Sequence, residues 1–327
     1  MSIEKRKIDH LKICREENVS RGNSGFESIK LPYLALPEIN FADVSTKTEF
    51  LGFEINMPIF ISSMTGGVQE GEEINKKLAK VAQEKRIPLA LGSGRIVLEN
   101  RESAKSFQVK GLMPDVPLLA NVGAVQLNYG WDIKKCNELV ETLEADGLIL
   151  HLNPLQEVLQ QGGDTNFAGL IDKISEIVSL AKYPIIVKEV GSGIGKETAL
   201  KLKDAGVKFI DVAGHGGTNW SLIEGLRNGE ENLGELISEI GISTVDCLKE
   251  CSSINDVNIL ASGGIKNGLD IAKALYLGAK MAGLAKPFLM AESPALFADK
   301  LKLELKIAMF AMGAKNIQQI YEKAKNN

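Results

Sequence analysis

The stretch PIIVKEVGSGIGKETALKLKDAGVKFIDVAGHGG, residues 184–217, decides the fold class. It contains an apolar run opened by Pro184, a segment with helical periodicity at 195–206, and a second apolar run from Phe209. Gly206 follows the last helical turn, as glycine commonly does at helix ends. A strand, a helix and a second strand of these lengths predict a βαβ unit, in which the two strands pair in parallel.

The same unit recurs along the chain. Eight apolar runs predict strands, starting near Pro58, Pro88, Pro117, Gly147, Pro184, Phe209, Asn258 and Ala279. Successive starts are 30, 29, 30, 37, 25, 49 and 21 residues apart, and most of these spacings fit one strand plus one helix. Helical segments at 72–86 and 133–147 lie between the runs, and Gly147 is taken as the end of the second segment. The pattern predicts a single (β/α)8 barrel, with a doubly wound open sheet as the alternative.

Two segments fall outside the regular alternation. Residues 1–57 form an N-terminal extension that packs on the barrel of residues 58–327, covering one end or reaching the active site. The long gap after the sixth strand holds a polar, glycine-interrupted insertion before a helix resumes at 244–251, and we interpret it as a mobile lid or an interface.

Composition limits the possible partners. The chain has 327 residues, 44% hydrophobic and 24% charged, with a formal net charge of -4. This acidic balance argues against broad binding to nucleic acid or membranes, and no run is long enough to span a bilayer. We expect a cytoplasmic protein, and its four cysteines, which lack metal or redox spacing, are expected to be free thiols.

The ends of strands seven and eight suggest a phosphate site. SGGI at 262–265 and LAKPF at 284–288 lie where barrels commonly bind phosphate through backbone N–H groups. Gly263 and Gly264 let the backbone approach the anion, and a helix starting after Asn267 adds a favourable dipole. The alternative is a pair of tight turns that simply require glycine.

The first strand end and Lys188 suggest a flat cofactor. SSMTGG at 62–67 offers hydroxyls, Met64 and exposed backbone, and neighbouring strand ends add Ser93 and Asn121. A lysine within an apolar strand must be paired or desolvated. Lys188 could form a Schiff base, lie beside the N1 and O2 edge of a reduced flavin, or make a structural salt bridge with Glu189 or another carboxylate.

Two further motifs suggest a diphosphate and a metal. HLNPLQE at 151–157 combines a histidine, two amides and Glu157, a hard oxygen ligand suited to Mg2+ when substrate phosphate oxygens complete the coordination. RKIDH at 6–10 is typical of a solvated chain end, but together with Arg95 and His151 it could form a cage for a diphosphate.

In this order, these motifs make the chain similar to the type 2 isopentenyl diphosphate isomerase family. The resemblance covers almost the whole chain and rests on RKIDH, SSMTGG, GSGR at 92–95, NVGA at 121–124, HLNPLQE, VKEVGSGI, GHGGTNW at 214–220, SGGI and LAKPFL. It implies interconversion of isopentenyl and dimethylallyl diphosphate by proton transfer with reduced FMN, NADPH as the reductant and Mg2+ bound to the diphosphate. It also implies a homo-oligomer, a tetramer or an octamer.

The resemblance assigns roles to individual residues. The catalytic residues would be Gln156, Lys188 and His151, and Glu157 would bind Mg2+. The substrate would contact Arg6, Lys7, His10, Arg95, His151, Asn153 and Gln156. FMN would contact Ser63, Met64, Thr65, Ser93, Asn121, Lys188, Thr218, Gly263, Gly264, Ala285 and Lys286.

His215 supports a competing hypothesis. FMN-dependent 2-hydroxy acid oxidases carry a catalytic histidine at a similar glycine-rich strand end, so this class is the alternative function. A barrel that only binds or assembles would leave Lys188, His151 and Glu157 without a shared task, and we consider it less well supported.

Overall fold

The computed structural model describes residues 3–325, which form a closed barrel of eight parallel strands surrounded by helices. The barrel strands are β3 Ile59–Ile61, β4 Leu89–Ala90, β5 Leu118–Gly123, β6 Gly147–Leu152, β7 Ile185–Glu189, β8 Phe209–Asp211, β9 Asn258–Ser262 and β10 Met281–Leu284. A separate antiparallel hairpin precedes them, with strands β1 Thr48–Phe50 and β2 Phe53–Ile55. The barrel prediction is confirmed, and the largest offset is at the last strand, which starts at Met281 rather than Ala279.

The helices alternate with the strands. Within residues 3–325 they are α1 Ile3–Glu16, α2 Gln69–Lys85, α3 Arg95–Glu99, α4 Ile133–Leu143, α5 Pro154–Leu159, α6 Leu170–Leu180, α7 Lys196–Asp204, α8 Trp220–Asn228, α9 Glu231–Ile237, α10 Thr244–Cys251, α11 Gly268–Tyr276, α12 Lys286–Met290, α13 Pro294–Ala311 and α14 Ile317–Lys325. None of them combines the length and apolar character needed to cross a membrane.

The strands are apolar on both faces because both faces are buried. Inward side chains such as Phe60, Leu119 and Ile186 fill the barrel, while outward ones such as Leu118 and Val187 join the cluster beneath the helices. This explains why the sequence shows near-continuous apolar runs rather than alternation. β10 pairs with β3 and closes the barrel, so none of the eight barrel strands has an open edge.

The segment before β3 reaches both ends of the barrel. Phe50 and Ile55 of the hairpin pack into the inner cluster and close the end where the strands begin. Helix α1 lies at the opposite end, where Lys7 Nζ donates to the carbonyl oxygen of Ser93, 2.9 Å away. The catalytic face of such a barrel is at that end.

Two expectations about local structure are wrong. Helix α4 ends at Leu143 and is followed by Glu144, which takes the left-handed conformation with φ of 52°. Gly147 therefore does not end the helix but begins β6, where a strand start was also expected. In the insertion, the helix expected at 244–251 is present as α10, but the segment before it also forms helices, α8 and α9, which were not expected. Asn219 caps α8, and the two helices approach closely because a Cβ on Gly225 would lie 2.7 Å from the Cα of Gly234.

The four cysteines lie within the described residues and are all free thiols, as expected. Cys136, Cys247 and Cys251 are buried, and Cys14 is partly buried. Burial raises the pKa of the Cys14 thiol to about 11, so none of these observations indicates a reactive thiolate.

Candidate active site

A cavity of about 400 Å³ opens at the carboxyl ends of the barrel strands. All nineteen site residues selected from the sequence line it: Arg6, Lys7, His10, Ser63, Met64, Thr65, Ser93, Arg95, Asn121, His151, Asn153, Gln156, Glu157, Lys188, Thr218, Gly263, Gly264, Ala285 and Lys286. They come from α1, from the ends of most barrel strands and from the loops that follow. The volume falls in the usual range for small-molecule sites.

Lys188 extends from β7 into the barrel and is almost fully buried. Its Nζ donates to the carbonyl oxygen of Glu189 at 2.6 Å and lies 3.6 Å from Asp211 Oδ2. The hydroxyl of Ser262 lies 2.8 and 2.9 Å from the two oxygens of Asp211. The Glu189 carboxylate does not pair with Lys188, because it accepts hydrogen bonds from the backbone N–H groups of residues 190–193. The salt-bridge partner of Lys188 is therefore Asp211.

His151 has a defined tautomer. Asn121 Nδ2 donates to Ser63 Oγ at 2.8 Å and to the carbonyl oxygen of Leu91 at 3.1 Å, which orients its Oδ1 toward His151 Nδ1 at 2.7 Å. His151 Nδ1 therefore carries the hydrogen, an assignment from the hydrogen-bond network. Burial, helped by Lys188, lowers the pKa of His151 to about 3. The imidazole is thus neutral, with Nε2 as an acceptor.

Hydrogen bonds hold the Glu157 carboxylate in place but leave one lone pair of Oε1 available to a ligand. Its Oε2 accepts from the backbone N–H of Asp164 at 2.7 Å and from Gln160 Nε2 at 3.3 Å. Among the described residues, Oε1 accepts only from Asn153 Nδ2, at 2.9 Å. Within residues 3–325, the buried Oδ1 of Asn153 has no hydrogen-bond partner. These two oxygens are the hard donors that Mg2+ prefers.

A metal here would need further ligands. Within residues 3–325, no group of three or more His, Cys, Asp or Glu side chains could hold a metal ion. Mg2+ in proteins usually keeps waters and takes one or two carboxylates plus substrate phosphate oxygens. The residues around Glu157 therefore fit a magnesium ion that is completed by a bound diphosphate.

The cations of α1 point into the cavity. Lys7 donates to Ser93 and lies over the ring of Phe107, 4.9 Å from the ring centroid. Burial, with a smaller contribution from Arg6, lowers the pKa of Lys7 to about 7. Burial also lowers the pKa of Arg6, although the carboxylate of Glu157 opposes the shift. An anionic ligand nearby would favour the charged form of such desolvated side chains and so raise their pKa values.

His10 belongs to a network that the sequence reasoning did not include. Its Nε2 lies 2.8 Å from Glu224 Oε1, and the fully buried Glu224 also accepts from Arg227 Nε at 2.7 Å. Gln156 Nε2 lies 3.5 Å from the same carboxylate. Burial would raise the pKa of Glu224, but its bonds to His10 and Arg227 lower it. Glu224 and Arg227 are three residues apart, a spacing that places them on one helical face, and this spacing was the signal in the sequence that could have indicated the pair.

The glycines of SGGI allow a close approach of backbone segments. Gly263 has φ of 95°, and a Cβ there would lie 2.0 Å from the carbonyl oxygen of Gly214. Gly264 has φ of 72° and also lines the cavity. At the N-terminus of α11, which was expected to contribute a dipole, the backbone N–H of Gly268 donates to the Glu304 carboxylate at 2.7 Å, so this N–H group is already paired.

His215 does not line the cavity. Its imidazole packs between Gly22 and Gly241, where a Cβ would lie 3.1 Å and 2.2 Å from ring nitrogens. Its backbone N–H donates to Ile242 at 2.9 Å, and burial lowers the pKa of the side chain. The geometry therefore gives His215 a packing position and does not support the oxidase alternative.

The fold and cavity define a (β/α)8-barrel enzyme with its site at the carboxyl ends of the strands, and comparisons with known proteins add the FMN-dependent class. Residues 135–327 match the family model described as FMN-dependent dehydrogenase. In structure, the chain is similar to a flavocytochrome b2 variant, with a TM-score of 0.69 and 18% identity over 98% of this chain and 82% of that one. At that identity the likeness shows the fold alone.

Relatives of higher identity give the particular family. The chain is 46% identical to the isopentenyl-diphosphate delta-isomerase of Rickettsia africae, over 96% of this chain and 95% of the relative. It is 44% identical to the protein of the same name from Nostoc sp., over 96% of this chain and 93% of that one. The chain belongs to the isopentenyl-diphosphate delta-isomerase family, which confirms the resemblance found in the sequence.

Proposed function

We propose that this protein interconverts isopentenyl diphosphate and dimethylallyl diphosphate, using reduced FMN and Mg2+. The observation that carries the proposal is the convergence of Arg6, Lys7 and Arg95 on a cavity beside the carboxylate of Glu157. Three cations and one metal-binding carboxylate match a diphosphate held with Mg2+.

The other end of the cavity suits the flavin. Gly263, Gly264 and Lys286 would hold its phosphate, and Lys188 would place a positive charge near the ring. When bound, reduced FMN would supply the acid and base that move a proton across an unactivated alkene, which ordinary carboxylates do poorly. Lys188 is held for this task by Asp211.

Side chains of the cavity would orient the reacting alkene and exclude water. Gln156 is oriented at both ends of its amide, with Oε1 accepting from Asn153 at 3.0 Å and Nε2 directed at Glu224. His151 would accept a hydrogen bond at Nε2, since its neutral form is strongly favoured.

An anaerobic assay tests the proposal. Purified protein with FMN, NADPH and Mg2+ is expected to convert isopentenyl diphosphate to its isomer without net oxidation of the flavin. The oxidase alternative predicts instead that a 2-hydroxy acid reduces oxidised flavin. A fully loaded and reduced sample that gives no isomer contradicts the proposal.

Lys7 should make anion binding dependent on pH. Its pKa of about 7 means that the ammonium is charged below this pH and neutral above it in the free protein. We expect Lys7→Gln to weaken inorganic pyrophosphate binding by about tenfold at pH 6, and the ratio of the two dissociation constants to decline toward pH 9.

Calorimetry on the wild type and the Lys7→Gln variant from pH 6 to pH 9 measures the ratio of their dissociation constants. The ionisation of pyrophosphate affects both proteins equally and cancels in this ratio. A ratio that stays constant from pH 6 to 9 would show that Lys7 does not titrate in the site.

NADPH as the reductant, a tetramer or octamer, a cytoplasmic location and the boundary between residues 57 and 58 remain predictions. The individual roles of the site residues are part of the proposal.

A further inference from the structure

We propose that Asp164 is a positioning residue that fixes the guanidinium of Arg95 for the substrate diphosphate and joins it to the metal-binding carboxylate. The inference rests on the proposed function, because it assigns Arg95 to the diphosphate and Glu157 to Mg2+. Asp164 was not among the residues selected from the sequence.

Asp164 holds Arg95 from one side. Its Oδ2 accepts from Arg95 Nη1 at 2.5 Å and from Gln126 Nε2 at 2.9 Å. Arg95 Nε donates to Glu99 at 2.9 Å, and within residues 3–325 its Nη2 has no hydrogen-bond partner. Arg95 thus enters the cavity with two nitrogens fixed and one available to a phosphate oxygen.

Asp164 itself does not line the cavity, whereas Arg95, Gln126 and Glu157 all do. Its carboxylate therefore acts on the ligand through these neighbours rather than by contact. Although burial opposes it, the pairing with Glu99 and Asp164 raises the pKa of Arg95, so the guanidinium stays charged. A fixed cation loses less side-chain entropy when the anion binds.

The same residue holds the metal-binding carboxylate. The backbone N–H of Asp164 donates to Glu157 Oε2 at 2.7 Å. The preceding residue must be small, because a Cβ on Gly163 would lie 2.0 Å from the carbonyl oxygen of Glu157. The loop from Gln160 to Asp164 therefore sets the distance between the cation and the metal ligand that would share one diphosphate.

Glu99 provides a matched control. It pairs with the same guanidinium, but its side chain is 46% exposed, against 18% for Asp164. Exposed pairs four residues apart on a helix contribute little. Neutralising Asp164 and neutralising Glu99, which both pair with Arg95, should therefore have very different effects on ligand binding.

The experiment compares Asp164→Asn with Glu99→Gln in the FMN-loaded enzyme. We expect Asp164→Asn to raise KM for isopentenyl diphosphate, and the dissociation constant of inorganic pyrophosphate, by about tenfold. The value of kcat and the affinity for FMN should stay within about threefold. Glu99→Gln should change none of these by more than about twofold. Equal effects of the two substitutions would overturn the inference.

A double-mutant cycle separates positioning from general stability. If Asp164 acts through Arg95, the combined variant R95Q/D164N should bind pyrophosphate no more weakly than R95Q alone. Additive losses would show that Asp164 acts independently and would refute the proposal. Should D164N fail to fold, Gln126→Met removes the other hydrogen bond to the same oxygen and should weaken pyrophosphate binding by about threefold. No change in Q126M would then count against the inference.

Activity of the wild-type enzyme distinguishes a failure of the proposed function from a failure of the role of Asp164. A wild-type enzyme that does not isomerise its substrate would refute the proposed function. A wild-type enzyme that turns over normally, while D164N behaves like E99Q, would refute only the role of Asp164.

Discussion

Replacement of Lys188 by methionine is expected to lower kcat at least about a hundredfold, because it removes a buried positive charge from the flavin side of the cavity. It should also lower the free energy of unfolding by about 3–5 kcal/mol, since the fully buried Asp211 loses its ion-pair partner. Assays of turnover and denaturant unfolding measure the two effects separately.

The double variant K188M/D211N is the matched control. Because both charges are removed together, we expect most of the stability to return while activity stays lost. If activity returned with stability, Lys188 would have only a structural role. If K188M alone unfolded like the wild type, the buried ion pair would contribute nothing measurable.

Glu157→Gln is expected to lower turnover by about a hundredfold or more, with no rescue by added Mg2+. Glutamine keeps the size of the side chain but offers a neutral amide where the free lone pair of Oε1 should meet the metal. Activity measured across a range of Mg2+ concentrations gives the result directly.

FMN content is the control for E157Q, since the flavin would lie at the other end of the cavity and should be retained. A variant that saturates with Mg2+ as the wild type does would place the metal elsewhere.

The fold was predictable because each strand carries a local signal. The proline before β3, β4, β5 and β7 marks the start of an apolar run, and burial on both faces keeps these runs continuous. The helices of the insertion were missed because α9 is short and polar and its pairing with α8 depends on contact between Gly225 and Gly234. The end of α4 was misplaced because Glu144 takes a conformation usually left to glycine.

The residues that line the site were predictable from the fold, but the carboxylates that support them were not. Residues at strand ends share one rim in any parallel barrel, so their gathering follows from the fold. The supporting carboxylates do not follow from it. Glu224 pairs with His10 across 214 positions, and Asp164 pairs with Arg95 across 69, so neither leaves a local pattern in the sequence.

The pairing of β10 with β3 has a consequence for synthesis on the ribosome. Ile59 and Ala282 lie side by side in the closed barrel but are made more than two hundred residues apart. The nascent chain would carry Arg6, Lys7 and His10 long before Ala285 and Lys286 exist, so the cavity proposed to hold the flavin can be complete only after β10 has been made. Until then, the unpaired edge of β3 would be exposed to other chains.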